Sequence, residues 1–337
     1  MRTPYFTDFN KLAELVLSYR SAKPVLVALH YDLFSWIAKG HDTAPRLAGK
    51  LELNAPALER LLDALCAIGW LEKKERRYCN TRAGRRLLVE TSSDYVGSSL
   101  KYQEHTWDAW SDLRYVIKEG KPRRGLLDWI GKDFFTADYI KAMGDVTRHP
   151  ARDLAEKLDW KGVSSTLDVG SGAGTFSAAF VERVPGLTAT LLDLAKPLAV
   201  ARGLLNGHPG AKRFRFRVAN YLIDSLGENE YDLVLISNVS RVEDEKTNRL
   251  LVSKARRALR PGGRLVIHDY ALDEDRTSPL FPALMSLHVL LFTGKGRAYT
   301  AKEYDAWLRD EGFVGISRIP IARQSIHPSL AVVGHKK

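Results

Sequence analysis

A change of rhythm near residue 163 is the feature that most constrains the fold of this chain. From there on, segments rich in β-forming residues alternate with helical stretches, and these strand candidates are STLDVG, TATLLD, RFRFRVAN, YDLVLISN and RLVIHDY. Such alternation builds a doubly wound parallel sheet with its binding site at the carboxyl ends of the strands. Two further candidates, VGISRIP and SLAVVGHK, lie close together and favour an antiparallel pair at one edge.

The first of these strands runs into a glycine-rich turn, LDVGSGAGTFS. Asp168 precedes Gly170, Gly172 and Gly174, and the glycines allow a sharp turn and a close approach of a ligand to the backbone. Glycines alone do not choose among dinucleotide, phosphate and nucleoside binders, but the lack of GKS or GKT argues against a P-loop. Asp193, at the end of the next strand, is well placed to accept hydrogen bonds from ribose hydroxyls.

The N-terminal part of the chain has a different pattern. Residues 11–38 carry apolar side chains at helical spacing, and two short helical segments, TAPRLAGKLEL and APALERLLDALCAIGWL, precede a β-wing and helix pattern, ERRYCNTRAGRRLLV. This order resembles a winged helix. Its candidate recognition helix, 55–68, contains Glu59, Asp63 and one Arg among many Leu and Ala, whereas base-reading helices carry several Arg, Lys, Asn or Gln. We therefore predict a role in dimerisation or scaffolding rather than in DNA binding.

Length, cysteine count and charge limit the possible binding partners and the cellular compartment. The chain of 337 residues suits two ordinary domains, and no apolar run is long enough for a membrane span. The N-terminus shows no signal-peptide pattern, and two cysteines, Cys66 and Cys79, form neither a disulfide framework nor a zinc site. The net charge of +11 is spread over the chain, which argues against a nucleic-acid partner. We expect a cytoplasmic protein.

Residues 95–160 are predicted to be mostly helical and contain YQEHTWDAWSDLRYVIKEG. His105 lies beside Trp107 and Trp110, and the two tryptophans stand three residues apart. Aromatic residues at that spacing are typical of a helix face that packs into a core. The same residues also suit a lid over a substrate pocket, because this segment joins two domains and pockets form at such junctions. Both interpretations remain open.

At this point the chain resembles the class I methyltransferases that bind S-adenosylmethionine. The winged-helix start narrows the resemblance to the plant-type and bacterial small-molecule O-methyltransferases, and RALRPGGRLVIHDYALDEDRT (257–277) and LLFTGKGRAYTAKEYDAWLRDEGF (290–313) also resemble this family. The resemblance implies a winged-helix dimerisation domain (1–94), a helical lid (95–160) and an α/β Rossmann-like domain with a seven-stranded, mostly parallel sheet (161–337). It also implies a homodimer joined through the N-terminal domains, with a small-molecule acceptor between lid and sheet.

The resemblance assigns residues to the cofactor and to the acceptor. The residues implied for S-adenosylmethionine, which becomes S-adenosylhomocysteine, are Asp168, Gly170, Gly172, Gly174, Asp193, Leu194, Asn220, Tyr221 and Ser237. Those implied for the acceptor are Met143 and Phe292, and the lid interpretation adds His105 and Trp107 as candidates for the same pocket. Strand-end capping is the alternative role for Asp193 and Asn220, and core packing is the alternative role for Met143.

The family's catalytic histidine is missing. Counting back from the PGG turn without a gap places Arg241 at the position of the histidine base, Asp269 at one of its two supporting acids and Ala298 at the other. A guanidinium is not a base at neutral pH, but it binds carboxylates bidentately. Arg241 therefore either anchors an acidic, anionic acceptor or is a surface arginine paired with Glu243 or Asp244.

The missing base changes which acceptors are expected. A general base contributes about 10²–10⁴-fold, whereas holding the acceptor in line supplies roughly 7–11 kcal/mol. A thioether has no proton to lose, so a sulfur acceptor that bears a carboxylate, of the methylthio-hydroxybutyrate type, is as well supported as a hydroxyl. Further alternatives are C-methylation of a tetrapyrrole-like acceptor, a winged-helix regulator that senses the cofactor, and hydroxylation or decarboxylation. His288 and His268 are candidates for a relocated base.

Overall fold

A computed structural model describes residues 4–125, 133–323, 325 and 327–337 of the chain. The chain divides into two units, Met1–His105 and Thr106–Lys337. The predicted lid segment, 95–160, falls partly in each unit, and its role as a lid stays a prediction. No described helix is long and apolar enough to cross a membrane.

The first unit is helical and carries one β-hairpin. Its described elements are α1 (Pro4–Leu17), α2 (Tyr19–His30), α3 (Leu33–Ala38), α4 (Ala44–Leu51), α5 (Ala55–Ala67), β1 (Leu71–Lys74), β2 (Arg77–Asn80) and α6 (Arg82–Leu88). The side chains of Thr43 and Asn54 cap the first turns of α4 and α5. Leu58, Leu62 and Leu65 of α5 are buried in the core of this unit. The helices, the wing and their order confirm the predicted winged helix.

The second unit is built on the predicted alternation. Its described elements, the first of which begins in the preceding unit, are α7 (Gly97–Ser111), α8 (Leu113–Glu119), α9 (Asp133–Lys157), β3 (Ser165–Val169), α10 (Thr175–Arg183), β4 (Thr188–Asp193), α11 (Ala195–Leu205), β5 (Phe214–Val218), β6 (Tyr231–Ser237), α12 (Glu245–Ala258), β7 (Leu259–Asp269), β8 (Ala271–Leu272), α13 (Leu280–Thr293), β9 (Tyr299–Thr300), α14 (Ala301–Asp310), β10 (Phe313–Ile321) and β11 (Ser329–Lys336). Short 3₁₀ turns occur at Ala211–Arg213 and Ser240–Val242.

The central sheet has seven strands in the order β10-β11-β7-β6-β3-β4-β5. Strands β3 to β7 run parallel, and β10 and β11 pair antiparallel at one edge, as predicted. Because the parallel strands end on the same side, the chain leaves the sheet there at Val169, Asp193, Val218, Ser237 and Asp269. This edge carries the candidate site.

A second, two-stranded sheet was not expected from the sequence. Strands β8 and β9 pair in parallel through Ala271 with Tyr299 and Leu272 with Thr300. Two residues are too few to show a strand periodicity, so no pattern marks these segments in the sequence. The pairing ties the chain that leaves β7 to the chain that follows α13, beside the candidate site.

Asp232 joins the beginnings of two central strands. Its Oδ2 accepts hydrogen bonds from the backbone N–H groups of Ser164 and Ser165 at 2.9 and 3.0 Å, and its Oδ1 accepts one from Arg260 at 2.7 Å. Burial alone would raise the pKa of this carboxyl, but Arg260 and the serine donors hold the pKa well below its ordinary value. The ionised carboxylate therefore stabilises the sheet.

Replacing Asp232 by Ala should lower the free energy of unfolding by about 1–3 kcal/mol at pH 7, because two backbone N–H groups lose their acceptor. The pKa in the folded state is depressed, so this stabilisation is complete above the unfolded value of about 3.9 and is lost as the pH falls further. Urea denaturation at several pH values measures the difference from wild type, with Glu156→Ala as an exposed control. A difference that does not shrink below about pH 4 would contradict this account.

Candidate active site

The glycine turn after β3 has no room for a side chain at two of its three glycines, Gly170 and Gly174. Gly170, Gly172 and Gly174 have φ values of 67°, 52° and 74°, in the left-handed region that favours glycine. A Cβ on Gly170 would lie 2.7 Å from Cγ2 of Val239, and one on Gly174 would lie 2.5 Å from Cδ2 of Leu191. The turn therefore presents bare backbone at the strand edge, as a ligand that approaches closely requires.

The turn carries an unpaired hydroxyl, and it is hydrogen-bonded to the carboxylate at the end of β4. Oγ of Ser171 is buried and has no hydrogen-bond partner among the described residues, which is typical of a position completed by a ligand. Asp193 accepts hydrogen bonds from the backbone N–H groups of Gly172 at 2.9 Å and Leu194 at 2.7 Å, and burial raises its pKa. Leu194 is exposed. These groups fit a ligand with a polar end and a ribose.

Helix α9 lies over the glycine turn. Cδ1 of Ile140 would be 3.9 Å from a Cβ on Gly172, and a Cβ on Gly144 would be 3.3 Å from Cβ of Ala173. Met143, next to Gly144, is half-buried on this part of the helix. Met143, which is predicted to contact the acceptor, therefore lies on the helix that covers the glycine turn.

Tyr139 is a site residue that the sequence patterns did not reveal. Burial raises the pKa of its phenol, Arg241 lowers it and Asp193 raises it, so the phenol lies within electrostatic reach of both charges. An aromatic residue on an amphipathic helix is usually a core residue, and nothing in its spacing distinguishes Tyr139 from one. Tyr139 is thus the residue of α9 on which both Asp193 and Arg241 act electrostatically.

The loop after β5 holds Tyr221 from two sides. The phenol donates a hydrogen bond to Glu243 at 2.9 Å, and Nζ of Lys254 donates to the backbone oxygen of Tyr221 at 2.6 Å. Burial and then Glu243 raise the pKa of Tyr221 well above its ordinary value. Oδ1 of Asn220 accepts from the backbone N–H of Leu222 at 3.0 Å, so this side chain caps the loop. Both residues follow the end of β5, and their contact with adenine stays a prediction.

Asp168 and Ser237 lie near the carboxyl ends of β3 and β6, but their side chains are buried. Oδ2 of Asp168 accepts a hydrogen bond from Ser177 at 2.8 Å, and burial raises the pKa of this carboxyl to about 7. Oγ of Ser237 accepts a hydrogen bond from Nδ2 of Asn238 at 3.0 Å. Both side chains are buried and satisfied by protein groups, and their predicted contacts with the cofactor stay predictions.

His268 cannot serve as the relocated base. Its Nδ1 lies 2.9 Å from Oγ of Ser237 and its Nε2 lies 2.8 Å from Oγ of Ser329, so both ring nitrogens are occupied. Burial and then the charge of Arg241 lower its pKa to about 3. The hypothesis that His268 replaces the base is therefore wrong, because the sheet encloses the whole ring.

Arg241 lies in the 3₁₀ turn after β6 and forms a buried ion pair with Asp269. Its Nη1 is 2.7 Å from Oδ1 of Asp269 and donates to Oδ1 of Asn238 at 2.7 Å, while its backbone N–H donates to Oδ2 of Asp269 at 3.1 Å. Burial opposes the charge on Arg241, but Asp269 outweighs it and raises the pKa. The guanidinium carbon lies 5.1 Å from the centre of the Tyr270 ring.

The interpretation of Arg241 as a surface arginine paired with Glu243 or Asp244 is wrong. The turn directs the side chain inward to the end of β7, whereas Glu243 binds Tyr221 and Lys295, and Asp244 caps α12. No hydrogen-bond partner of Nε or Nη2 of Arg241 occurs among the described residues, and neither atom is fully buried. One edge of the guanidinium is therefore tied to the protein and the other is open.

His288 and Phe292, both predicted site residues, lie together on α13. Nε1 of Trp110 donates to Nδ1 of His288 at 3.3 Å, and the rings of His288 and Phe292 lie 5.0 Å apart. Burial and then Arg241 lower the pKa of His288 to about 4, so the ring is neutral at physiological pH. Trp107 is half-buried on the same helix as Trp110.

His105 and Ala298 are the two remaining predicted positions. His105 lies on α7 and is the last residue of the first unit, and its contact with the acceptor stays a prediction. Ala298, at the position of the second acid, is buried, and its backbone N–H donates to Oγ of Ser286 at 3.0 Å. The preceding loop packs on the turn that holds Arg241, because a Cβ on Gly296 would lie 2.2 Å from the backbone oxygen of Arg241.

Comparison with known proteins identifies the family. The model of the O-methyltransferase domain matches residues 110–314, and the model of the O-methyltransferase dimerisation domain matches residues 13–90. The chain therefore belongs to the O-methyltransferase family and is an S-adenosylmethionine-dependent methyltransferase. The match to the dimerisation domain supports a homodimer.

Individual relatives resemble nearly the whole chain. A 3-hydroxy-5-methyl-1-naphthoate 3-O-methyltransferase from Streptomyces sahachiroi is 29% identical over 306 residues, covering 89% of this chain and 88% of the relative. The aclacinomycin 10-hydroxylase RdmB from Streptomyces purpurascens is also 29% identical, over 82% of this chain and 77% of the relative. The crystal structure of human N-acetylserotonin methyltransferase in complex with S-adenosylmethionine shares the fold, with a TM-score of 0.88 at 21% identity, covering 100% of this chain and 99% of that one.

Replacing Ser171 by Ala should weaken the binding of S-adenosylhomocysteine roughly 3- to 10-fold, the value of one hydrogen bond. The melting temperature should not fall, because the hydroxyl has no partner among the described residues. Titration calorimetry measures the affinity. Thr166→Val is the matched control, since Oγ1 of Thr166 is equally buried and unpaired but lies within β3, away from the turn. Equal affinities for wild type and Ser171→Ala would show that the hydroxyl does not touch the cofactor.

Proposed function

We propose that this enzyme methylates an acidic hydroxyl of a small molecule, which binds as an oxyanion beside the open edge of Arg241. The observation that carries the proposal is the buried Arg241–Asp269 pair at the position of the family's base. A protonated guanidinium cannot accept a proton from the acceptor, but it does stabilise an anion. The acceptor must therefore lose its proton before methyl transfer rather than during it.

Methyl transfer to such an oxyanion requires no base from the protein. The hydroxyl proton leaves to water, and the cofactor, when bound, supplies an electrophilic methyl group on a sulfonium. Transfer would form one C–O bond on the acceptor and break one C–S bond of the cofactor, whose sulfonium would become a neutral thioether. Arg241 holds the anion, and the residues around it hold the acceptor in line and exclude water.

The sizes of the two catalytic effects support a reaction that relies on positioning and on Arg241 rather than on a general base. A missing general base costs about 10²–10⁴-fold for a weakly acidic hydroxyl, and in-line positioning alone can supply roughly 7–11 kcal/mol. A cation within reach also lowers the pKa of a bound hydroxyl. Arg241 has this effect on the phenol of Tyr139, whose pKa it lowers against burial. An acceptor whose hydroxyl has a low pKa therefore needs no general base in addition.

The comparisons favour oxygen over sulfur. The relative from Streptomyces sahachiroi is an O-methyltransferase by name, and the matching family model is an O-methyltransferase domain. A carboxylate-bearing thioether also needs no base, and the mass and charge of the labelled product distinguish a sulfonium from an ether. The similarity to RdmB makes hydroxylation a further outcome that product mass would reveal.

The pH dependence of kcat/KM should follow the acceptor and not the enzyme. The pKa values of His268 and His288, about 3 and about 4, keep both rings neutral from pH 6 to 9. In that range kcat/KM should rise until the acceptor hydroxyl is ionised, and the inflection should move when a phenol of different pKa is used. An inflection that stays in place for every acceptor would reveal an enzyme base and contradict the proposal.

Arg241→His should create a base opposite Asp269. For a phenol with a pKa near 10, kcat/KM at pH 7 should rise by up to roughly 10²-fold, whereas a phenol that is already ionised at pH 7 should gain nothing or react more slowly. Arg241→Lys keeps the charge and is the matched control. Arg241→Met alone is unsuitable, because an unpaired buried Asp269 costs about 3–5 kcal/mol. A loss of activity with Arg241→His on both phenols, in folded protein, would contradict this role.

We also infer that the homodimer forms through the N-terminal unit. On α1 of that unit, Phe9, Leu12 and Val16 fall on one helical face and are more than half exposed, at 55%, 60% and 61%. The double substitution Leu12→Glu and Val16→Glu should convert a dimer into a monomer, measured by light scattering after gel filtration. Ile117→Glu, at an equally exposed position of α8, is the control. A dimer that survives the double substitution would place the interface elsewhere.

A further inference from the structure

The contact between Trp110 and His288 determines which ring nitrogen of the histidine carries the proton. An indole N–H is only a donor, so the nitrogen it faces must accept. Nε1 of Trp110 lies 3.3 Å from Nδ1 of His288. In a neutral imidazole the other nitrogen then carries the hydrogen. His288 is therefore held in the tautomer with a proton on Nε2, in which Nε2 donates and cannot accept.

The surroundings hold this ring in place. Phe292 packs beside it, with ring centres 5.0 Å apart. Ala109 and Val116 join Phe292 in a small apolar cluster, and Trp110 packs against that cluster. A histidine between a tryptophan and a phenylalanine has few rotamers, which preorganises its free N–H for a ligand.

The Nε2–H group of His288 is available. No hydrogen bond to Nε2 occurs among the described residues, and the atom is not fully buried. The charged group whose effect reaches the ring is Arg241, which together with burial keeps it neutral. Helix α13 also contacts the turn that contains Arg241. The open groups offered by α13 and by this turn are thus both hydrogen-bond donors, His288 and Arg241.

We propose that His288 binds the acceptor through Nε2–H and that the acceptor carries a carbonyl oxygen next to the hydroxyl that is methylated. This inference rests on the proposed function, in which Arg241 holds the ionised hydroxyl. Because α13 contacts the turn that holds Arg241, and Arg241 acts electrostatically on His288, the two donors suit two neighbouring oxygen atoms of one ligand, one anionic and one neutral. A hydroxyl conjugated with a neighbouring carbonyl meets this requirement. His288 is then a residue that positions the acceptor and determines specificity, and it is not the missing base.

Two substitutions separate a donor from a base. In His288→Gln the side-chain amide N–H reaches the place of Nε2, whereas in His288→Asn it reaches only the place of Nδ1, and neither side chain is a base. The probes are an ortho-hydroxyaryl ketone and the corresponding phenol without the ketone, bound to the complex with S-adenosylhomocysteine. We expect His288→Asn to weaken binding of the ketone roughly 3- to 10-fold and His288→Gln to retain it. The phenol should bind equally to all three proteins.

Steady-state kinetics provide a second test of the same variants. With the ketone, the change in His288→Asn should appear in KM more than in kcat, and the pH profile should keep its shape. If both variants lost kcat on both acceptors and the pH dependence disappeared, His288 would be a base and the inference would be overturned. Equal affinities of wild type and both variants for the ketone, or no binding of the ketone at all, would also overturn it.

Trp110→Phe tests whether the tautomer is held by the indole. Without its partner, Nδ1 can carry the proton, so the ketone should bind about 2- to 3-fold more weakly and the phenol should be unaffected. Trp160→Phe is the control, since Nε1 of Trp160 donates to the backbone oxygen of Ala155 at 2.7 Å, away from the site. An unchanged affinity of Trp110→Phe for the ketone would count against the inference. Binding in these tests does not depend on turnover: ketone binding as expected, without methylation of its oxygen, would refute only the proposed function.

Discussion

The buried carboxylate of Asp269 is the constraint on which the acceptor side of the site depends. Its side chain has no exposure, and an ionised carboxylate in such a place requires a cation or several donors. Arg241 supplies the cation, and the backbone N–H groups of Arg241 and Tyr270 supply further donors. The ends of β6 and β7 are thereby joined, and Arg241 is held with one edge bonded and one edge open.

Features that depend on local chain chemistry could be predicted from the sequence. The glycine turn, the parallel strands with their common edge, and the antiparallel pair at the C-terminus follow from periodicity and from backbone conformations that only glycine adopts easily. Arg241 and Asp269 could also be placed at strand ends, because the turns that precede and follow them are marked in the sequence. Such inferences need no knowledge of which side chain meets which.

Contacts between distant segments could not be predicted in this way. Arg241 has acidic neighbours two and three residues away, yet it pairs with Asp269, 28 residues on, because the turn points its side chain inward. Trp110 meets His288 across 178 residues, and no spacing rule relates the two. Ser171 is distinguished only by its buried hydroxyl, which has no hydrogen-bond partner among the described residues. Tertiary packing decides each of these cases.

The bond from the backbone N–H of Arg241 to Asp269 has a consequence for how such enzymes diversify. This bond fixes the main chain at position 241 whatever side chain stands there, and the close approach of Gly296 fixes it from the other side. Position 241 can therefore exchange its side chain without movement of the main chain, provided that the new side chain still pairs with Asp269. Histidine and arginine codons differ by a single base, so one mutation could exchange these two side chains at position 241 and leave the rest of the enzyme in place.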